Sequence, residues 1–101
     1  MDIEQIKLIV DEGKIKWRGH MLSRMQQRGI KINDVIQAIK SGEIIEFYSD
    51  DYPFPSCLIL GSSKGKSIHV VCAIGEEVVW MITTYYPSQN EWFEDMKTRR
   101  K

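Results

Sequence analysis

An excess of positive charge is missing. The chain carries 14 Lys and Arg against 14 Asp and Glu, whereas a dedicated, high-affinity nucleic-acid binder usually shows a strong basic surplus. Cysteine is scarce too. Cys57 and Cys72 are the only two, both in strand-like runs and without metal-ligand spacing. In a chain with no export signal they read as buried free thiols rather than a disulfide. No apolar run approaches the length of about 18 residues that a membrane-crossing helix needs, so no membrane association is expected. The start, Met1-Asp2-Ile3-Glu4, is acidic and amphipathic rather than basic and then apolar, and a cytoplasmic location is the expectation. A Walker loop, a dinucleotide fingerprint, a G-x-S-x-G elbow and a zinc pattern are also absent. Asp50 and Asp51 are adjacent loop acids without further ligands at suitable spacing. No metal and no cofactor is expected.

What is present fits one modest globular domain: 101 residues, 43% apolar and 28% charged. The charge is unevenly spread. Residues 1–42 hold eight Lys and Arg against five acids, the stretch 43–63 holds four acids and no base, and the chain ends with Lys97, Arg99, Arg100 and Lys101. A local basic face is therefore compatible with the neutral total.

The segment from Gly19 to Gly29 carries the sharpest signal. At about 100° per residue, His20, Arg24, Gln27 and Arg28 share one face of a short helix, while Met21, Leu22 and Met25 occupy the other. Gly29 suits the left-handed cap. A histidine that titrates near neutrality beside two permanent cations suits acid/base work on an anionic substrate such as a phosphodiester. The same face also fits a solvated surface whose arginines pair with nearby carboxylates.

Around that helix the spacing predicts an α+β domain. Ile3, Ile6, Ile9 and Val10 mark a first helix stopped by Gly13. Residues 15–18 form a connector or strand fragment, and Val35, Ile36 and Ile39 mark a helix from Asp34 to Lys40 with Asn33 as its N-cap. Four strands follow, at 43–48, 57–61, 67–74 and 78–86, joined by turns at Ser63-Lys64-Gly65-Lys66 and Gly75-Glu76-Glu77 and by the loop 49–56. Their short connections predict a four-stranded antiparallel meander with the N-terminal helices on one face. The other face is partly open or used for association. Trp92, Phe93 and Met96 predict a terminal helix over Glu91 to Arg100. The helices His20 to Arg28 and Asp34 to Lys40, joined by a tight turn, also outline a helix-turn-helix reader, but Gln37 and Lys40 give its second helix poor reach for bases.

Further candidates lie on the strands. Alternation puts His69, Val71 and Ala73 on the face opposite Ile68, Val70 and Cys72. His69 could complete an acid/base pair if its strand lies beside His20, or be a structural histidine. Cys72, on the opposite face from His69, is unsuited to act with it as a nucleophile. Tyr85 and Tyr86 end the last strand and could stack a base or orient a phosphate, or form a cross-strand aromatic pair.

The ordered series His20-x3-Arg24-Met25-x2-Arg28-Gly29-Ile30, Ser41-Gly42-Glu43-Ile44-Ile45-Glu46, Asp51-Tyr52-Pro53, Leu58-Ile59-Leu60-Gly61, Ile68-His69-Val70-Val71 and Ile82-Thr83-Thr84-Tyr85-Tyr86-Pro87 resembles a widespread family of small prokaryotic proteins classed as a domain of unknown function. The likeness runs from about Gly19 to Pro87 and extends to the Trp92 segment. It implies a layout similar to the RelE/BrnT/MqsR-like ribonuclease toxins, which cleave RNA without metal, and a gene neighbour of antitoxin type. By that analogy His20, His69 and Arg24 are the catalytic candidates, and Arg28, Tyr85 and Gln27 the substrate-binding ones. The zero net charge departs from the basic character of such toxins. The rival expectation is a protein-interaction module or catalytically silent domain, in which the open sheet face and the loop 50–56, with Tyr52 and Phe54, hold a partner protein or a second copy of the chain.

Overall fold

A computed structural model describes residues 1–101. The N-terminal helix α1 (Ile3–Asp11) begins where the Asp2 carboxylate accepts the Gln5 amide at 2.8 Å, and its apolar stripe buries Ile6, Ile9 and Val10. The short strand β1 (Ile15–Trp17) leads into α2 (Gly19–Arg28), which Gly29 ends in the left-handed conformation at φ 69°. The next helix, α3 (Ile32–Ser41), starts two residues earlier than the sequence predicts. Lys31 holds the cap position, not Asn33, because the Asp34 carboxylate reaches back to the Lys31 amide at 2.9 Å. That contact, and then the Ser63 hydroxyl at 2.7 Å, hold the Asp34 carboxyl below its usual range.

Strands β2 (Glu43–Tyr48), β3 (Ser56–Ser63), β4 (Lys66–Gly75) and β5 (Val78–Tyr85) form the expected meander. The hairpin turns Lys64-Gly65 (φ 53° and 77°) and Glu76-Glu77 (φ 56° and 63°) both use left-handed residues, the geometry that matches strand twist in two-residue loops. The sheet, however, has five strands in the order β1-β5-β4-β3-β2 and is mixed: β1 runs parallel to β5, with Ile15 opposite Val79 and Trp17 opposite Met81. The expectation of four antiparallel strands is corrected here. A parallel partner lies far away in sequence, so a three-residue fragment carries no local sign of it.

The helices cover one face. Met21, Met25, Val35, Ala38 and Ile39 pack on Cys57, Ile59, Ile68, Val70, Cys72, Val79 and Met81 in a single core. Cys57 and Cys72 sit opposite each other in register there as buried free thiols. α3 lies so close to β3 that a Cβ at Gly61 would fall on the Ala38 carbonyl. None of the helices is long and apolar enough to cross a membrane.

The second correction concerns the C-terminus, where no helix forms. The Asp95 carboxylate accepts the amides of Lys97 and Thr98, each at 3.0 Å, and the Thr98 hydroxyl at 2.7 Å. These local bonds compete with helical ones, and Met96 turns left-handed at φ 59°. Residues 87–101 instead form an irregular strap across the outer sheet face. It is closed by a bridge between Trp92 and Arg99 and pinned by Lys97 on Glu43 (3.1 Å) and Arg99 on Glu46 (2.8 Å).

Candidate nucleic-acid interface

The sequence of α2 sorts its own faces. Met21 and Met25 are buried, while His20, Arg24, Gln27 and Arg28 are all exposed on its outer side. No side chain caps its N-terminus and no acid sits in its first turn. The strand β1 covers only Val79–Met81 of the β5 edge. Past that point Arg28 Nη1 donates to the Thr84 carbonyl at 2.7 Å, tying the end of α2 to β5.

The charge around α2 is uncompensated. Between residues 13 and 33 the chain has Lys14, Lys16, Arg18, Arg24, Arg28 and Lys31 but no Asp or Glu. Lys7, Lys40, Lys64, Lys97 and Arg99 each pair with a carboxylate, whereas none of the cations of this stretch does. A net charge of zero thus hides one flank, built from β1 and α2, whose cations form no ion pair within the chain, although Arg28 is tied to the Thr84 carbonyl and Arg18 shares a cavity wall with Asp51. The run without acids is visible in the sequence, but its lack of partners is a property of the fold.

His69 and Tyr85 are placed elsewhere. Both lie on the outer sheet face, opposite the face that α2 packs against, where they are neighbours across β4 and β5. His69 is 0% exposed. Its Nε2–H donates to the Met96 carbonyl at 2.6 Å, and Nδ1 accepts from the Tyr85 hydroxyl at 3.2 Å. The rings of Trp92 and Tyr85 stand edge-on to it at 4.5 and 5.2 Å. Burial pushes the imidazole below its ordinary titration range, against the pull of the Met96 carbonyl and Glu46. Burial likewise raises Tyr85. Next to this pair, Arg99 grips Glu46 with two bonds of 2.8 and 3.1 Å, and Tyr48 donates to Glu46 at 2.5 Å. The arginine holds Glu46 down, while burial and the carboxylate push Tyr48 up to about 12. The structure does not bring His20 and His69 together. His20, Arg24, Gln27 and Arg28 form one surface; His69 and Tyr85 form a closed, hydrogen-bonded plug beneath the strap.

A cavity of about 360 Å³ opens at the other end of the outer face, between the loop 49–55 and β5. Its walls include Arg18, Asp51, Tyr52, Phe54, Trp80 and Ile82. Trp80 is held by its indole N–H on the Gly75 carbonyl at 3.1 Å, with the Phe54 ring 6.2 Å away and tilted 31°. Arg18 is the residue immediately before α2, so the cavity adjoins the cationic flank.

Fold and surface together define a small α+β domain with an uncompensated basic helix at one sheet edge. The chain belongs to the family described as "Domain of unknown function (DUF4258)", whose model matches residues 17–86. No curated protein and no solved structure matches the chain. The matched span takes in α2, α3 and the whole meander but only Trp17 of β1, and leaves α1 and the strap outside.

Proposed function

We propose that this domain binds RNA through the β1–α2 flank and cleaves it without a metal ion, in the manner of the RelE/BrnT/MqsR-like toxins. The observation that carries this reading is the set of exposed cations around His20 that have no carboxylate partner. Unpaired arginines give forked donors for phosphate oxygens. The nearest free titratable group on the same face is an imidazole.

In the reaction His20 takes the proton of the ribose 2′-hydroxyl. The 2′-oxygen then bonds to phosphorus as the bond from phosphorus to the 5′-oxygen breaks. Arg24 and Arg28 offset the charge growing on the non-bridging oxygens, Gln27 hydrogen-bonds the substrate, and the departing 5′-oxygen takes its proton from water. With His69 occupied, no second imidazole serves as the acid. One positioned proton-transfer group contributes about 10²–10⁴-fold, so turnover is slow compared with a two-histidine site.

The test is cleavage of mixed-sequence RNA in EDTA by wild type and His20→Ala, together with binding over a salt series. Cleavage is lost in His20→Ala, while Arg24→Ala weakens binding and flattens the slope of log K against log salt by about 0.7. A folded wild type that binds no RNA at low salt overturns the reading.

A further inference from the structure

The cavity beside α2 combines aromatic walls with one carboxylate and one guanidinium, a set that suits a flat, polar-edged ring better than an aliphatic side chain. Trp80 gives a wall that cannot swing, because its indole N–H is tied to the Gly75 carbonyl. Tyr52 is 92% exposed, so the fold makes no use of its ring. Aromatic faces of this kind stack any base. Choice among bases has to come from the polar groups.

We propose that this cavity is a base subsite of the RNA interface and that it takes guanine. The inference rests on the RNA reading above and adds the base. Asp51 is the only carboxylate on the cavity wall, and an ionised carboxylate only accepts hydrogen bonds. The Ser56 hydroxyl donates to its Oδ2 and fixes its orientation, and lone pairs on both oxygens remain for a ligand. Guanine alone among the four bases presents two adjacent donors, N1–H and the N2 amine, on one edge. Adenine and cytosine place a ring-nitrogen acceptor beside their amine, and uracil flanks its single N–H with two carbonyls; a carboxylate repels these acceptors. Arg18 stands at the cavity wall immediately before α2. The phosphate attached to a seated base therefore lies toward Arg18 and the start of the His20 helix.

The experiment compares nine-nucleotide uridine-rich RNAs carrying one central guanosine, adenosine or cytidine, measured by fluorescence anisotropy at fixed salt. In parallel, guanosine and adenosine 5′-monophosphates are titrated while the Trp80 indole N–H signal is followed by NMR. Wild type binds the guanosine RNA about tenfold more tightly than the others, the discrimination typical of one bidentate contact. Asp51→Asn removes that preference, and Tyr52→Ala weakens all three RNAs by about tenfold through lost stacking. Both residues are exposed, and the asparagine carbonyl can still accept the Ser56 hydroxyl, so melting curves of both variants are recorded to confirm that each stays folded at the assay temperature. Equal binding of the three RNAs by wild type, or a guanosine preference that survives Asp51→Asn, overturns the subsite; weakened binding by Arg24→Ala then shows that the RNA reading itself stands. If the guanosine monophosphate shifts the Trp80 signal but no oligonucleotide binds, the RNA reading falls, and the subsite as part of an RNA interface falls with it.

Discussion

Replacing His69 with alanine removes a ring that is 0% exposed. The ring makes two hydrogen bonds and meets two aromatic rings edge-on. The apolar contacts of a ring this size contribute about 2 kcal/mol. Each hydrogen bond adds about 1 kcal/mol, more where the Met96 carbonyl or the Tyr85 hydroxyl is left without a partner. The expected loss is therefore about 3–4 kcal/mol, a large share of the 5–15 kcal/mol that holds a typical domain together, and a fall in Tm of about 15–25 °C. In urea, with a slope of about 1.5 kcal/mol per molar, the midpoint drops by about 2–3 M. The matched control is His20→Ala, at an exposed helix position, where a change within about 0.5 kcal/mol is expected. Urea melts followed by tryptophan fluorescence measure both, since Trp92 packs directly on the ring. A His69→Ala protein within 1 kcal/mol of wild type would refute the account of His69 as a structural plug. So would a variant of normal stability that has lost RNA cleavage.

Two other outcomes follow from the same structure. Because burial holds His69 below its ordinary value of 6.5, the unfolded chain binds a proton that the folded chain refuses. Stability is then flat above pH 7, falls by up to about 1.4 kcal/mol per unit as pH drops below 6.5, and levels off below the folded value. Urea midpoints at pH 8, 7, 6 and 5 check this, and His69→Gln removes the slope over that range. At the β4–β5 turn, Glu76 and Glu77 both hold left-handed φ angles, which cost side chains with a Cβ about 1–2 kcal/mol each. The double substitution Glu76→Asn, Glu77→Gly supplies the residues such turns favour and raises stability by about 1–2 kcal/mol, read as a higher urea midpoint. An unchanged midpoint would mean that the turn carries no strain.

The features legible in the sequence are those set by near neighbours. The faces of α2, its left-handed end at Gly29, the hairpin turns and the alternation that separates His69 from Val70 all depend on residues within a few positions of one another. Where a distant segment decides, local reading stops. Ile15-Lys16-Trp17 becomes a strand only because β5 lies alongside it. Trp92, Phe93 and Met96 have helical spacing, yet Asp95 captures the following amides and the His69 ring gives Trp92 a better place to pack than a helix would. Alternation says which face His69 occupies but not what covers that face, so its role as plug rather than acid or base depends on the strap. Likewise, the two acids of the loop after β2 look alike as Asp50-Asp51, and the fold alone puts Asp51 on the cavity wall.

The family match spans residues 17–86, and those limits differ from the limits of the folded body. Ile6, Ile9 and Val10, which precede the match, fill the core beneath the sheet, and Trp92, which follows it, seals His69 above. The unit that likeness recognises is thus smaller than the unit that holds itself together. Relatives sharing only the matched span have to close both sides of the sheet by other means, with different flanking segments or a second chain. In this chain the flanks on either side of the matched span thus carry part of the stability that the span itself does not hold.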